Sequence, residues 1–242
     1  MLDAVTITVA LLVLLVAGLI QGAGGFGFAL TALPVLCLMI PLKDASAMLV
    51  LTGLSINGFI FWRLRSHFSW ERMLPIALGG LAGVPLGVLL LAKADARALQ
   101  IVLGIVLLMA VGQNLAPGLR NRKWHPLWLG APCGVFSGAL TGAFGTGGPP
   151  AVAYVAAQGF DRFRYSASVQ LAVGMGGLLR LPCLAVGGLL SWQILAMSAA
   201  GGVAAAVGAW VGLHVLKRLP EKALRYVVTA MLLVLAIKNL AG

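Results

Sequence analysis

A chain of 242 residues that is 61% hydrophobic and only 10% charged does not build a soluble globular domain, because such domains carry roughly 25% charged residues. Its mean hydropathy is +1.03, and six acidic residues cannot solvate a surface, so the chain belongs in a membrane. The net charge of +11 sits in short loops between apolar runs, where it records membrane orientation rather than nucleic-acid binding.

In chain order, residues 5–21 form the first apolar stretch, preceded by no charge except Asp3. With no basic leader and no small-residue cleavage site, it reads as a membrane segment rather than a removed signal peptide. A glycine-rich break from Gln21 to Phe28 follows, then a short apolar piece at 28–40, then longer runs at 45–62, 73–92 and 98–116. After a basic linker at 118–123, the same order returns as 126–142, a second glycine break, 149–159, and runs at 165–190, 192–214 and 222–239. The six longer runs suit bilayer spans of about 20 helical residues. Tryptophans fall mostly at span ends, as an aromatic belt requires.

The order returns because the sequence does. GLIQGAGGFG from Gly18 matches GALTGAFGTG from Gly138, SWERMLPIALGG from Ser69 matches SWQILAMSAAGG from Ser191, and 98–115 matches 223–240. Three blocks in one order mark a tandem duplication. The predicted organisation is one membrane domain over 1–242, with repeats 1–117 and 124–242.

The pieces flanking each break either form one broken helix or a hairpin returning to its own side. The hairpin arrangement puts twelve Lys and Arg on one side and four on the other, with Arg180 inside a span; a single crossing gives nine against seven. Because cytoplasmic loops carry the basic excess, the sequence predicts hairpins. The predicted fold is all-α, with two inverted repeats of a glycine-tipped hairpin plus three spans, and both termini outside the cytoplasm.

The tips contain Gln21, Gly22, Gly24, Gly25 and Gly27, and then Thr141, Gly142, Gly145, Thr146, Gly147, Gly148, Pro149 and Pro150. Irregular backbone at membrane depth belongs where it packs in protein or lines a wet cavity. Helices starting near Phe28 and Pro149 would aim positive dipole ends and free N–H groups inward, which favours an anion. Thr31 would add a hydroxyl. A lone small-x3-small pair such as Gly83 and Gly87, or Gly208 and Gly212, reads instead as close helix packing.

GLIQGAGGFGF, the Ser-Trp loop, SGALTGAFGTGGPPAVAY and the closing AL…LL helix of each half together resemble the TauE/SafE sulfite exporter family. The resemblance spans nearly the whole chain and implies a permease for sulfite, organosulfonates or related anions in the bacterial inner membrane. It also implies that the tip glycines, Pro149 and Pro150 belong to the substrate site. Phe144 departs from the pattern, standing where the first half has Gly24.

Arg180 is the one cation inside a span, where burial costs about 2.5–3.5 kcal/mol. It is either the counter-ion of the anion or a cap on backbone carbonyls, with Pro182 breaking the helix beside it. Asn57 and Gln170 are candidate ligands or bridges between helices. Asp44 and Asp161 start the third segment of each half and read as helix-end residues, with proton coupling as the sharper alternative. Cys37, Cys133 and Cys183 show no paired spacing, and His67, His125 and His214 no ligand spacing, so no metal or cofactor is expected.

The resulting expectation is a secondary transporter, most simply an exporter, working by alternating access on a small sulfur-containing anion. Its partners would be that anion and the bilayer, without nucleic acid, and a homodimer is an open option. The rivals are a passive anion channel, a non-transporting scaffold subunit and a membrane-embedded enzyme. The last lacks any embedded carboxylate pair or activated nucleophile.

Overall fold

The computed structural model describes residues 4–67, 70, 72–115, 127–215 and 221–241. The linker 118–123 and several of the basic loop residues counted above, Lys217 and Arg218 among them, lie outside the described residues. Among the described residues ten α-helices follow one another: α1 (Ala4–Gly24), α2 (Phe28–Leu36), α3 (Leu42–Leu64), α4 (Leu74–Lys93), α5 (Ala96–Leu115), α6 (Gly130–Phe144), α7 (Gly148–Ala157), α8 (Arg162–Val186), α9 (Trp192–Val215) and α10 (Glu221–Ala241). No strand occurs among the described residues. Among the described residues six segments are long and apolar enough to cross a membrane: α1, α3 extended to His67, α4, Ala96–Gln113, Phe163–Val186 and Trp192–His214.

Helix lengths separate the two hairpins. The first arm, α1, has 21 residues and outruns the predicted end at Gln21 by three, whereas α6 has 15. The return arms α2 and α7 have only 9 and 10 residues, too few to span. The second pair folds back on itself. The Tyr154 hydroxyl, near the end of α7, donates to the Arg72 carbonyl at 3.0 Å. A Cβ on Gly130, the first residue of α6, would lie 2.9 Å from that same hydroxyl oxygen. One straight broken helix over 130–157 could not bring these residues together.

One expectation fails in α8. Pro182 does not break the helix, which continues to Val186. Proline removes one N–H and crowds one carbonyl, and membrane helices tolerate this where neighbours re-satisfy the freed groups.

Small-residue seams hold the hairpin arms in place. A Cβ on Gly18 or Gly22 of α1 would fall 2.2 or 2.3 Å from the Ala205 or Ala209 carbonyl oxygen of α9, and Gly208 and Gly212 meet Leu15 and Leu19 in return. The same seam joins α4 to α6, where Gly83 and Gly87 face Val135 and Ala139, and Gly138 and Gly142 face Gly80 and Val84. Without a hydrophobic drive between helices in lipid, such backbone contact supplies the packing energy. Residue numbers rise together along both seams, so α1 runs parallel to α9 and α4 parallel to α6. Between α3 and α8 they oppose: Ser46 meets Arg180, Leu54 meets Gly177, and Asn57 meets Gly174.

Two apolar clusters flank the middle of the bundle. The larger joins Leu14, Phe28, Leu30, Leu33, Leu49 and Phe144 with much of α3 and α5. The smaller holds Met73, Ile76, Val152, Tyr154, Val155 and Val169, and Phe26 packs partly against both.

Candidate functional site at the two glycine tips

The backbone makes the same turn twice, 120 positions apart. Gly25 and Gly27 have φ of 80° and 111°, and Gly145 and Gly147 have φ of 71° and 23°. Only glycine adopts this region without steric cost, so these four positions are fixed by backbone geometry. In each turn the first of them donates its N–H four residues back, Gly25 to the Gln21 carbonyl at 2.7 Å and Gly145 to the Thr141 carbonyl at 2.8 Å.

Side chains brace the two turns differently. In the first, the Phe28 N–H donates to Gln21 Oε1 at 2.9 Å. Gln21 Nε2 donates to Asn57 Oδ1 at 2.7 Å and to Gln170 Oε1 at 3.1 Å, and Gln170 Nε2 donates to the Gly25 carbonyl at 2.7 Å. Three buried amides from α1, α3 and α8 thus lock one turn. In the second, Arg180, 1% exposed, donates from Nε to the Gly142 carbonyl at 3.0 Å and from Nη2 to both the Ser46 carbonyl and Oγ. Ser46 Oγ donates in turn to the Ala143 carbonyl at 2.6 Å, and Ser137 Oγ donates to the Gly147 carbonyl. All three Arg180 bonds end on neutral oxygens, two of them carbonyls, so the guanidinium caps the negative end of α6.

The return helices also differ at their starts. At α2 the Phe28 N–H is taken by Gln21, and Ala29 and Leu30 are the remaining first-turn residues with N–H groups. At α7 the Gly148 N–H bonds the Thr146 carbonyl, and Pro149 and Pro150 have no N–H to give. Within the first three residues of each return helix, the first tip therefore carries three N–H groups and the second one. The second contributes a dipole and a wall.

Both tips close on one cavity of about 30 Å³. Of the residues singled out in the sequence, Gln21, Gly25, Gly27, Asn57, Gly145, Thr146, Gly148 and Gln170 line it. Gly22 and Gly142 sit in the packing seams. Gly24 is exposed with open space around it, and Thr141 donates to the Ser137 carbonyl at 2.9 Å. Gly147 and Pro149 stand just outside, the latter accepting a 2.7 Å bond from Gln113 Nε2, and Pro150 is buried in the first turn of α7. Thr31 donates to the Gly27 and Phe28 carbonyls. Arg180 does not line the cavity, yet a Cβ on Gly145 would lie 2.7 Å from its Nη1, so the cation stands directly behind the wall.

Sequence reasoning missed Phe26, Phe28, Ala29, Leu30, Gly53, Val169 and Val173 in the lining, and Ser46, Ser137 and Gln113 in the bracing. Gly53 and Asn57 are four apart on α3, as Val169 and Val173 are on α8, and that helical spacing was the available signal.

Asp44 and Asp161 lie on the outside. Asp161 is the N-cap of α8 and accepts from the Phe163 and Arg164 N–H groups at 2.9 and 3.0 Å. The Arg164 N–H, above all, holds its carboxyl below the ordinary aspartate value. Asp44 is exposed in the first turn of α3, with no side-chain cap there. No group of three or more His, Cys, Asp or Glu that could hold a metal ion occurs among the described residues.

The chain matches the family described as Sulfite exporter TauE/SafE over residues 10–239. No curated protein and no solved structure matches it.

Proposed function

Since the chain belongs to the TauE/SafE sulfite exporter family, we propose that this multi-pass membrane protein is a secondary transporter of a small sulfur oxyanion, sulfite or an organosulfonate. It works by alternating access in a bacterial inner membrane, with export as its main direction. The observation that carries this reading is the cavity walled by both glycine tips, with residues from the starts of α2 and α7 in its lining. Two helix dipoles then favour an anion without a charged side chain in contact. A cavity of about 30 Å³ holds about two waters at roughly 10–15 Å³ each. We read this form as the closed one, from which the tips part to admit the anion.

Inversion of the halves supplies the two faces. The parallel pairs α1–α9 and α6–α4 correspond when the first half is laid over the second, and the antiparallel α3 and α8 correspond to each other. The reversal of α3 against α8 supports a reading in which one half stands upside down relative to the other, the arrangement that alternating access in repeat-built transporters uses. The basic excess near Arg63, Arg65, Arg72 and Arg164 supports a cytoplasmic position for that end. Arg180 acts as a positioning cation: capping α6 leaves the positive end of α7 uncancelled at the cavity.

Labelled sulfite flux from proteoliposomes tests the proposal, with Gly147→Val as the comparison. A side chain there is strained at φ 23° and meets Thr141 Oγ1. Sulfite flux in the native protein and its loss in the variant are expected; a native protein that moves no sulfur oxyanion refutes the reading.

A further inference from the structure

The amide cluster at the first tip has a direction that the backbone fixes. Amide oxygen and nitrogen are assigned from their partners, and here both ends of the chain of bonds meet backbone groups with a single possible role. The Phe28 N–H can only donate, so Gln21 turns its oxygen to it and its NH2 away. The Gly25 carbonyl can only accept, so Gln170 turns its NH2 to it and its oxygen back towards Gln21. Both Gln21 hydrogens are then spent, one on Gln170 Oε1 and one on Asn57 Oδ1. Asn57 must offer its oxygen to Gln21, which leaves Nδ2 as the part of this cluster without a bond among the described residues. Asn57 is 7% exposed and lines the cavity. Nδ2 is not fully enclosed by protein, and the cavity that Asn57 lines is where its partner would come from.

We infer that Asn57 Nδ2 is a specificity-determining donor to the transported anion, with Gln21 as the positioning residue that keeps it a donor. The inference rests on the cavity being the substrate site. The amide nitrogen has no lone pair to accept with, so this position takes a bare oxyanion oxygen and turns away a group that presents its own N–H or O–H. The ligand class is a deprotonated sulfur oxyanion. Ala29 and Leu30, at the start of α2, also line the cavity.

The test uses purified full-length protein in proteoliposomes and in detergent, with sulfite and methanesulfonate as probes. Methanesulfonate stays a monoanion across the usable pH range, and methanesulfonamide is its neutral N–H-bearing isostere. Native protein is expected to bind methanesulfonate more tightly than methanesulfonamide, which keeps two acceptor oxygens but puts NH2 in place of the third and has no charge. Asn57→Ala should raise the apparent Kd by about 10–150-fold, the range for a hydrogen bond to a charged group. Asn57→Asp, of equal size, should lose methanesulfonate binding at neutral pH and regain it as the carboxyl protonates and becomes a donor. A purely structural role would not produce that recovery. Gln21→Glu still accepts from Phe28 but cannot hold Asn57, so its loss should be non-additive with that of Asn57→Ala.

Equal binding of sulfonate and sulfonamide by native protein overturns the inference, as do folded Asn57 variants that bind like the native protein. If native protein binds no sulfur oxyanion at all, the transporter reading fails first, and this inference with it.

Discussion

The two glycine tips share a backbone and divide the chemistry. Each turns through a pair of positive-φ glycines and starts a short return helix, but neutral amides lock the first and a guanidinium locks the second. The difference follows from what each turn leaves unsatisfied. At the first, one carbonyl and one N–H near the turn are met by Gln170 and Gln21, and two first-turn N–H groups of α2 remain. At the second, prolines remove those N–H groups, and Arg180 with Ser46 is needed to hold the α6 carbonyls. In the proposed function the first tip reads the anion and the second supplies field and shape. The two turns are thus alike in their positive-φ glycines and unlike in the side chains that brace them.

Substitutions at glycine break the comparison most sharply. Gly145→Ala meets both a positive φ and the Arg180 guanidinium, so flux and thermal stability should both fall steeply. Gly24→Ala, three residues before Gly27 and with nothing within 4 Å, should leave flux near the native level when measured in the same proteoliposomes. Comparable loss at both positions would erase the distinction between turn and flank.

Arg180→Gln ranks next. Its removal strands buried carbonyls at about 1–3 kcal/mol each and releases the negative end of α6 towards the cavity. Sulfite flux should be lost in a protein that still inserts and runs as a folded species by size exclusion. Native flux in that variant would show that the cap is dispensable. Ser46→Ala should do the same in miniature, lowering stability by about 1–3 kcal/mol through the unpaired Ala143 carbonyl while retaining part of the flux.

The smallest effect belongs outside the tips. Asp161→Asn keeps an N-cap for α8 and removes the charge, so flux and its pH dependence should not change; a shifted pH profile would restore Asp161 to proton coupling. Because the Asp161 pKa is lowered on folding, its contribution is present above the ordinary aspartate value and is lost as pH falls through the depressed one. Acid should therefore speed amide exchange at Phe163 and Arg164 before it affects the spans.

Much of this was legible in the sequence. Glycine pairs in short apolar pieces announced the tips, and basic loops announced the hairpins, because both depend on composition alone. Gly22 and Gly142 were harder: within the motif they look like substrate glycines, and only the seam with α9 or α4 shows them packing. The α6 cap by Arg180 depends on the meeting of α3, α6 and α8, and the direction of the Gln21 amide depends on one N–H seven residues away. Neither has a sequence period. The passage of α8 through Pro182 was likewise hidden, since a proline signal is local and its tolerance is tertiary.

The central claim is that one anion sits between the tips, and selenite, a heavier analogue of sulfite, tests it most directly. In crystals soaked with selenite, the anomalous selenium peak should fall between the Asn57 side of the first tip and the Gly145–Thr146 wall of the second. A peak against Arg180 itself, or peaks confined to the basic ends of the helices, would contradict the account.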